Sequence, residues 1–287
     1  MKARLLELFL LLAALQARAQ LAASSLAQVF TVTDGGVGKF RLPQVRLPNA
    51  AVARRINRQL LRQCVDYTGS VDSTASPRRQ VRQMVVECCY DQETKGWMAG
   101  GLGYTGTDYT VLLNQGYLLS LEFAKDDNGL TRMDAEHLTF DLRTGKRLTL
   151  GDLVADPPAQ LAQRLEWAID RRLKAELADV AAVYGDSDVI AHVAQLYGFE
   201  EWNTVKQKPT AADTSAASAS DMKYWLETAD FALDDHALLL YHNVGMSRID
   251  IPFLPDPVYT FPFARIHPRG LLVPLAKAAG TKKPKTK

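Results

Sequence analysis

The sequence predicts an α+β fold in which an antiparallel meander sheet packs against a few helices. Three observations lead to this prediction. In residues 109–113 and 119–123, apolar residues alternate with others, which is typical of strands with one buried face. The short connection 114–116 ends in glycine, and such a loop favours an antiparallel hairpin. After Pro158, apolar residues recur every three or four positions, as in an amphipathic helix.

A second hairpin is predicted at mid-chain. Residues 138–142 alternate Leu, Phe and Leu with Thr and Asp, and 143–146 form a turn in which Gly145 can adopt a positive φ. The alternation resumes over 148–150, so we expect a return strand there. Asp152 follows it and is a candidate cap for a helical turn.

The first third of the chain mixes extended and helical patterns. Residues 28–46 are expected to be extended, with prolines as breakers. Residues 50–65 have a helical apolar face, whereas the polar and turn-rich stretch 69–77 indicates a loop. A strand is predicted over 81–90.

Residues 91–106 contain five glycines together with Trp97 and Tyr104. A glycine-rich loop with aromatic side chains can form a binding edge, so both are candidate binding residues. A turn region with two packed aromatic side chains is the alternative.

The second half begins with the predicted helix from Pro157-Pro158 through Leu177, and a short helix follows over 189–197. Order is expected to return after residue 220, with strands over 228–233 and 237–241 around a polar turn. A last strand over 258–261 lies in a proline-rich stretch and is expected at a sheet edge.

The N-terminus is typical of an export signal. Lys2 and Arg4 precede an apolar run over 5–15, and 17–19 has the small-x-small form of a cleavage site. We therefore expect 1–19 to be removed and the mature chain to be periplasmic or extracellular. A buried N-terminal helix is the alternative. No later stretch approaches the roughly 20 apolar residues that span a bilayer, so we expect no transmembrane segment in the mature chain.

The mature chain is predicted to divide into two α+β lobes, 20–135 and 136–275. The second lobe contains a flexible insertion near 207–220, which is rich in Ala, Ser and Thr. Residues 276–287 are predicted to be a disordered basic tail.

Charge is unevenly distributed. The tail 277–287 holds five lysines and no acidic residue, whereas 20–276 holds 26 basic and 31 acidic residues. An acidic body favours a cationic partner over nucleic acid. Ordinary charge that keeps the surface soluble is the alternative.

Three cysteines in an exported chain predict one disulfide and one free thiol. Cys64 belongs to the apolar face of the helix 50–65. On a strand over 81–90, Cys88 shares a face with Met84, whereas Cys89 lies on the other face. We therefore predict a bridge from Cys64 to Cys88, with Cys64 to Cys89 as the alternative. A metal site lacks the required ligand spacing.

The sequence contains no nucleophile elbow, P-loop, paired metal histidines or dinucleotide fingerprint. We therefore predict no catalytic residue, cofactor or metal site. The polar residues Asp234, Asp235, His236 and His242 come closest to a cluster and are candidate binding residues, with a solvent-exposed loop as the alternative.

Several short motifs resemble the extracellular domain of RsiV-like anti-sigma factors, a module that is also found before some secreted polysaccharide deacetylase domains. The motifs cover most of the mature chain and are mainly structural. They are Leu119-Ser120-Leu121, the run from Phe140 to Lys146 with Leu148, Leu150 and Asp152-Leu153, the runs from Phe231 to Leu239 and from Phe261 to Ile266, and residues 40–61.

The resemblance implies an α+β module outside the cytoplasmic membrane, and for the second lobe an RsiV-like domain. In the anti-sigma branch such a domain binds lysozyme, which is a cationic protein. Asp134-Ala135-Glu136-His137 stands where members usually carry Gly-Gly-Ala-His, so no site residue is transferred to this chain.

Together these observations predict an exported, non-enzymatic binding module of the cell envelope, whose ligand is a lysozyme-like protein or a cell-wall glycan. A hydrolase that acts on cell-wall polysaccharide and a structural envelope protein are the alternatives.

Overall fold

The computed structural model describes residues 27–33, 39–63, 72, 74–91, 93–97, 104–127, 134–199, 202–203, 208–209, 219–245 and 248–281. Within these ranges the chain forms seven α-helices and twelve strands. The predicted α+β class is confirmed. The chain divides into two compact units, one comprising residues 1–148, 232–236 and 268–287 and the other comprising 149–231 and 237–267.

The first unit is built on a five-stranded sheet in the order β1-β2-β5-β6-β7. Its elements are β1 (Gln28–Thr33), β2 (Lys39–Arg46), α1 (Ala50–Gln63), α2 (Pro77–Cys89), the short pair β3 (Tyr90–Asp91) and β4 (Gly96–Trp97), β5 (Tyr104–Gln115), β6 (Leu118–Asp127) and β7 (Asp134–Asp141).

The predicted meander is confirmed for β5, β6 and β7, which pair antiparallel with their neighbours, as β1 does with β2. One junction differs, because β2 runs parallel to β5. Two helices and the strands β3 and β4 lie between β2 and β5 in sequence, and a parallel pair requires such a long connection. The sheet is therefore mixed rather than purely antiparallel.

The hairpin between β5 and β6 is tighter than predicted. The strands extend to Gln115 and Leu118, so that Gly116 and Tyr117 alone form the turn. Both residues have positive φ, 61° and 66°, which matches the right-handed twist of the flanking strands. The predicted loop 114–116 therefore overlaps the observed turn only at Gly116.

The turn after β7 has the predicted conformation, with Gly145 at φ 72°. The predicted return strand is reduced to a single bridge between Phe140 and Arg147. Helix α3 (Leu150–Leu153) begins directly afterwards, with Thr149 as its N-cap, and Asp152 accepts a hydrogen bond from the Thr149 N–H at 2.9 Å. Asp152 is therefore the third residue of the helix and not its cap.

The predicted strand 81–90 is wrong, because this segment is helix α2. Ser76 is the N-cap, its hydroxyl accepts from the Arg79 N–H at 3.4 Å, and Pro77 occupies the first turn. Val81, Met84 and Val85 are buried at helical spacing. Met84, Val86, Cys88 and Tyr90 alternate as in a strand, which explains the incorrect prediction.

A large apolar core lies between the sheet and the helices of the first unit. Helices α1 and α2 contribute their buried faces to the cluster that the sheet also lines, so both helices cover the same face of the sheet. The largest members are Phe40, Leu42, Ile56, Leu60, Met84, Leu119, Leu121, Phe123, Leu138 and Phe140.

The second unit contains α4 (Pro158–Tyr184), α5 (Ser187–Leu196), the strand pair β8 (Trp202–Asn203) and β9 (Lys208–Pro209), α6 (Ala219–Thr228), β11 (Ala237–Tyr241) and β12 (Val258–Pro262). The long predicted helix is confirmed, and Gly185 ends it at φ 63°. Leu173 and Leu177 pack against the buried residues of α5.

The predicted strands near residues 230 and 260 are confirmed. Phe231–Leu233 forms β10, which precedes the turn 234–236, and Ala237–Tyr241 follows the turn. β11 and β12 pair antiparallel, with Leu240 opposite Tyr259, and β12 lies at the edge of its sheet as expected.

The last helix, α7, covers Leu272–Thr281, so the predicted disordered tail begins as a helix over 276–281. The predicted boundary at residue 135 lies inside β7. The export signal 1–19, residue Cys64, the side chains of Cys88 and Cys89, and most of the insertion 207–220 lie outside the described residues. No described helix combines the length and apolarity needed to cross a bilayer.

Candidate functional site

The polar turn after β10 brings three of the predicted site residues together. Asp234, Asp235 and His236, which we call the acidic turn, place one ligand atom each within 4.8 Å of the others. His236 Nδ1 lies 2.7 Å from Asp235 Oδ1 and 3.3 Å from Asp234 Oδ1. The His236 backbone N–H also donates to Asp234 Oδ1 at 2.8 Å, which fixes the first carboxylate inside the turn.

The two carboxylates differ in exposure. The Asp235 side chain is 63% exposed, whereas that of Asp234 is 26% exposed. The hydrogen bond that the His236 ring donates to Asp235, assisted by the charges of both carboxylates, raises the pKa of His236 above its ordinary value. The net charge of this exposed turn therefore depends on whether the His236 ring is protonated.

The acidic turn is tied to the sheet through Ser120, which is fully buried on β6. Its hydroxyl accepts a hydrogen bond from the Leu233 N–H at 3.0 Å and lies 3.0 Å from the Thr139 hydroxyl on β7. Because the residue directly before the turn is held by this bond, the turn is positioned by a rigid strand pair. Sequence reasoning did not find this contact, since it joins residues 113 positions apart.

Polar pairs continue along the same two strands. His137 Nε2 lies 3.4 Å from Glu122 Oε2, and the Lys125 ammonium donates to Glu136 Oε1 at 2.8 Å. Glu136 also accepts from the Gln63 amide at the end of α1. The Lys125 side chain is only 1% exposed, so the Glu136 carboxylate compensates a buried charge. These side chains hold the strands and α1 together.

The acidic turn is the group of described residues that could hold a metal ion. Calcium takes six to eight oxygen ligands, and a structural zinc site takes four Cys or His ligands held rigidly. Three adjacent residues of one exposed turn would leave much of either shell to water. Their mutual hydrogen bonds already use the same atoms, so the geometry fits an electrostatic contact better than a metal centre.

The other predicted residues lie elsewhere. His242 belongs to the second unit, where its backbone N–H donates to the Pro257 carbonyl at 2.9 Å and burial lowers the pKa of its ring. Trp97 pairs with Tyr90 in the β3–β4 hairpin, and Tyr104 begins β5 opposite Asp127. The side chains of Trp97 and Tyr104 lie outside the described residues.

The sequence analysis missed a basic surface on the helices of the first unit. Residues 39–63 carry seven basic side chains and no acidic one. Seven exposed arginines on α1 and α2, which we call the arginine face, are Arg54, Arg55, Arg58, Arg62, Arg78, Arg79 and Arg82. Counting charges over successive segments of the sequence would have revealed the four arginines of α1. The last three were hidden by the incorrect strand prediction.

Comparison with known proteins gives structural likeness without a sequence match. No family model matches the chain, and no curated protein matches it. Among solved structures, a crystal structure of a member of the DUF3298 family from Bacteroides fragilis matches.

That match covers 88% of this chain and 94% of the other, at 13% sequence identity and a TM-score of 0.37. It thus extends over most of both chains. DUF3298 is a name of the RsiV-like domain family. At this identity and TM-score the match assigns no function, and the specific resemblance to the RsiV-like extracellular domain stays a prediction.

Proposed function

We propose that this chain is an exported, non-enzymatic binding module of the cell envelope, and that the acidic turn contacts a cationic protein of the lysozyme type. The observation that carries the proposal is the acidic turn itself. It presents an exposed carboxylate on Asp235 and is held in place by the bond from Leu233 to the buried Ser120. Export is supported by the N-terminal sequence pattern.

The turn is suited to a cationic ligand for two physical reasons. Its carboxylates are pre-positioned by hydrogen bonds within the turn, so little side-chain entropy is lost when a lysine or arginine approaches. Above the pKa of His236 the turn carries two negative charges, and below it only one. Binding should therefore strengthen as pH rises through the pKa of His236.

Retention of the mature chain on immobilised lysozyme tests the proposal. The parent protein should be retained at low salt, and Asp234→Asn with Asp235→Asn should reduce retention several-fold, because both carboxylates lose their charge. Asp179→Asn with Glu166→Gln removes two exposed charges from α4 and is the matched control. Equal loss in both variants would show a net-charge effect and reject the turn as the site.

Three further results would contradict the proposal. Absence of retention at low salt would remove lysozyme as the ligand, and retention on peptidoglycan instead would identify a cell-wall glycan. Release of soluble fragments from peptidoglycan by the purified chain would show that the protein is an enzyme.

A further inference from the structure

The helical layer of the first unit carries a surface that the proposed function does not use. On α1, successive residues are separated by about 100° around the helix axis, so Arg54, Arg55, Arg58 and Arg62 share an arc of about 100°. The buried residues Val52, Ile56 and Leu60 lie on the opposite side. The four guanidinium groups therefore form one stripe that faces away from the core.

Helix α2 repeats this arrangement. Arg78, Arg79 and Arg82 also share an arc of about 100°, and all three are exposed. Val81, Met84 and Val85 point into the core cluster that α1 also lines. The two arginine stripes thus lie on the solvent side of one helical layer.

Nearby acids neutralise little of this positive charge, although, after the hydrogen bonds from Thr74, the charge of Arg79 contributes weakly to lowering the pKa of Asp72. Among the described residues, no ion pair involves any of the seven, and Arg55 donates instead to the Thr144 carbonyl at 2.8 Å. The carboxylates beside α2 have other hydrogen bonds. Asp72 accepts from the Thr74 hydroxyl at 2.6 Å, and Glu87 accepts from the Gln83 amide at 2.8 Å.

The positions of Arg78 and Arg79 are unfavourable for helix α2 itself. The N-terminus of an α-helix carries partial positive charge, and α2 begins with arginines and no acidic residue in its first turn. Cations at this end destabilise a helix, so local stability gives no reason for Arg78 and Arg79. A negatively charged ligand provides such a reason.

We propose that the arginine face is a docking surface for a linear anionic polymer whose backbone carries phosphodiester groups. Charge complementarity is the main argument. All seven cations are arginine, whose planar group binds phosphate oxygens in pairs. Arg54, Arg58 and Arg62 follow one another at about 6 Å along α1, so they can contact successive groups of an extended chain.

Other anionic partners fit less well. The helices expose no aromatic side chain, which single-stranded nucleic acid requires for stacking and which commonly anchors a protein interface. Their buried apolar side chains face the core, so they cannot enter a bilayer. The choice of an envelope polymer over double-stranded DNA rests on the exported location in the proposed function.

Binding of a synthetic poly(glycerol phosphate) chain to the full-length protein tests this proposal by titration at several salt concentrations. If six arginines contact phosphates, affinity should fall about 1,000-fold between about 50 and 200 mM salt. Arg54→Gln, Arg58→Gln and Arg62→Gln together should weaken binding about tenfold or more and reduce the salt dependence by about half. Arg78→Gln, Arg79→Gln and Arg82→Gln should act similarly.

A control variant separates the arginine face from net charge. Arg171→Gln, Arg269→Gln and Lys277→Gln remove three exposed positive charges elsewhere. This variant should bind almost as well as the parent. Thermal unfolding checks folding, and the α2 variant should melt no lower than the parent because it loses cations at the helix N-terminus.

Four outcomes would overturn the proposal: no binding at low salt, equal weakening in the control variant, tighter binding to random-sequence double-stranded DNA, or tighter binding to vesicles of phosphatidylglycerol and phosphatidylcholine. Each concerns a probe and a surface different from those of the lysozyme test. Failure here would therefore leave the function proposed for the acidic turn unaffected.

Discussion

Gly145 lies in the turn after β7, at the point where helix α1 packs closely against that turn. Its φ is 72°, and a Cβ added there would lie 3.1 Å from the Val52 carbonyl and 3.2 Å from the Arg55 side chain. The same turn accepts hydrogen bonds from α1, since the Gln59 amide donates to the Gly145 carbonyl at 2.9 Å. Glycine at this position therefore permits both the left-handed backbone conformation and the close contact with α1.

We expect Gly145→Ala to lower the free energy of unfolding by about 2 kcal/mol or more, because a left-handed conformation costs about 1–2 kcal/mol for alanine and the contact adds to it. Gly116→Ala is a matched control. Gly116 has φ 61° but no atom within 4 Å of the added Cβ, so only the conformational cost remains. Equal destabilisation in urea unfolding would show that the contact with α1 is unimportant.

The ionisation of His236 provides a second test at this scale. Its pKa is raised, mainly by the hydrogen bond to Asp235. Because folding raises the pKa, the protonated ring favours the folded state. This contribution is complete below the ordinary pKa of 6.5 and is lost as pH rises through the folded value.

An NMR titration of the histidine rings should show a pKa above 6.5 for His236 and below 6.5 for His242. Asp235→Asn should shift the pKa of His236 downward, since the charged hydrogen-bond acceptor is lost, and should leave His242 unchanged. A His236 titration that does not respond to Asp235→Asn would contradict the geometry of the acidic turn.

At the scale of elements, side chains of α1 and β5 form hydrogen bonds to the backbone of β2, as a neighbouring strand would. Among the described residues, β2 pairs with β5 through Lys39–Gly106 and Phe40–Thr107. Beyond these pairs, the Thr107 hydroxyl bridges the Arg41 N–H and carbonyl at 3.3 and 3.2 Å. The Asn57 amide accepts from the Val45 N–H at 2.7 Å and donates to its carbonyl at 3.0 Å.

Replacement of Asn57 should therefore destabilise the junction between α1 and β2. Asn57→Ala leaves both polar groups of Val45 without this partner and should lower the free energy of unfolding by about 2 kcal/mol. Asn57→Asp keeps the acceptor but loses the donor, so it should have an intermediate effect at neutral pH. An alanine variant as stable as the parent in urea unfolding would contradict this role.

The sequence predicted elements whose periodicity is strong. The meander alternates over long strands, and α4 repeats its apolar positions over many turns, so local pattern and tertiary structure agree there. In helix α2, Val81, Met84 and Val85 have helical spacing, whereas Met84, Val86 and Cys88 alternate as in a strand. Ser76-Pro77 was the distinguishing signal, because it supplies an N-cap and a first-turn proline.

The site was predictable only where its residues are adjacent in sequence. Asp234, Asp235 and His236 share one turn, so their proximity follows from local geometry. The bond from Leu233 to Ser120 and the pair of Lys125 with Glu136 depend on strand register and on which segment reaches the sheet. The parallel pairing of β2 with β5 depends on tertiary docking in the same way.

At the scale of the whole molecule, the small net charge of +2 conceals strong segregation. The arginine face concentrates positive charge on one helical layer, whereas the acidic turn belongs to the same unit and has the opposite sign. A protein with two such surfaces can contact ligands of opposite charge. The predicted acidic body was therefore an incomplete description, because the count averaged over both surfaces.

Export is the property of the whole chain on which both proposals depend. We expect expression in a bacterial host with an intact secretion pathway to yield a mature protein that begins at Gln20, because Ala17-Arg18-Ala19 matches a cleavage site. Intact-mass measurement of the periplasmic or culture fraction checks this. Recovery of the uncleaved chain from the cytoplasm would favour the alternative of a buried N-terminal helix.

The short pairing between β2 and β5 has a consequence for motion. Few backbone hydrogen bonds between described residues cross this seam. The β1–β2 ribbon is held to the meander mainly by side-chain contacts, such as those of Thr107 and Asp108 with Arg41. Regions with few such bonds open at a lower free energy than the global transition. Amide hydrogens of β1 and β2 should exchange with solvent deuterium before those of β6, which is paired on both sides. The ribbon would thus act as a separate cooperative unit that can detach while the meander stays closed.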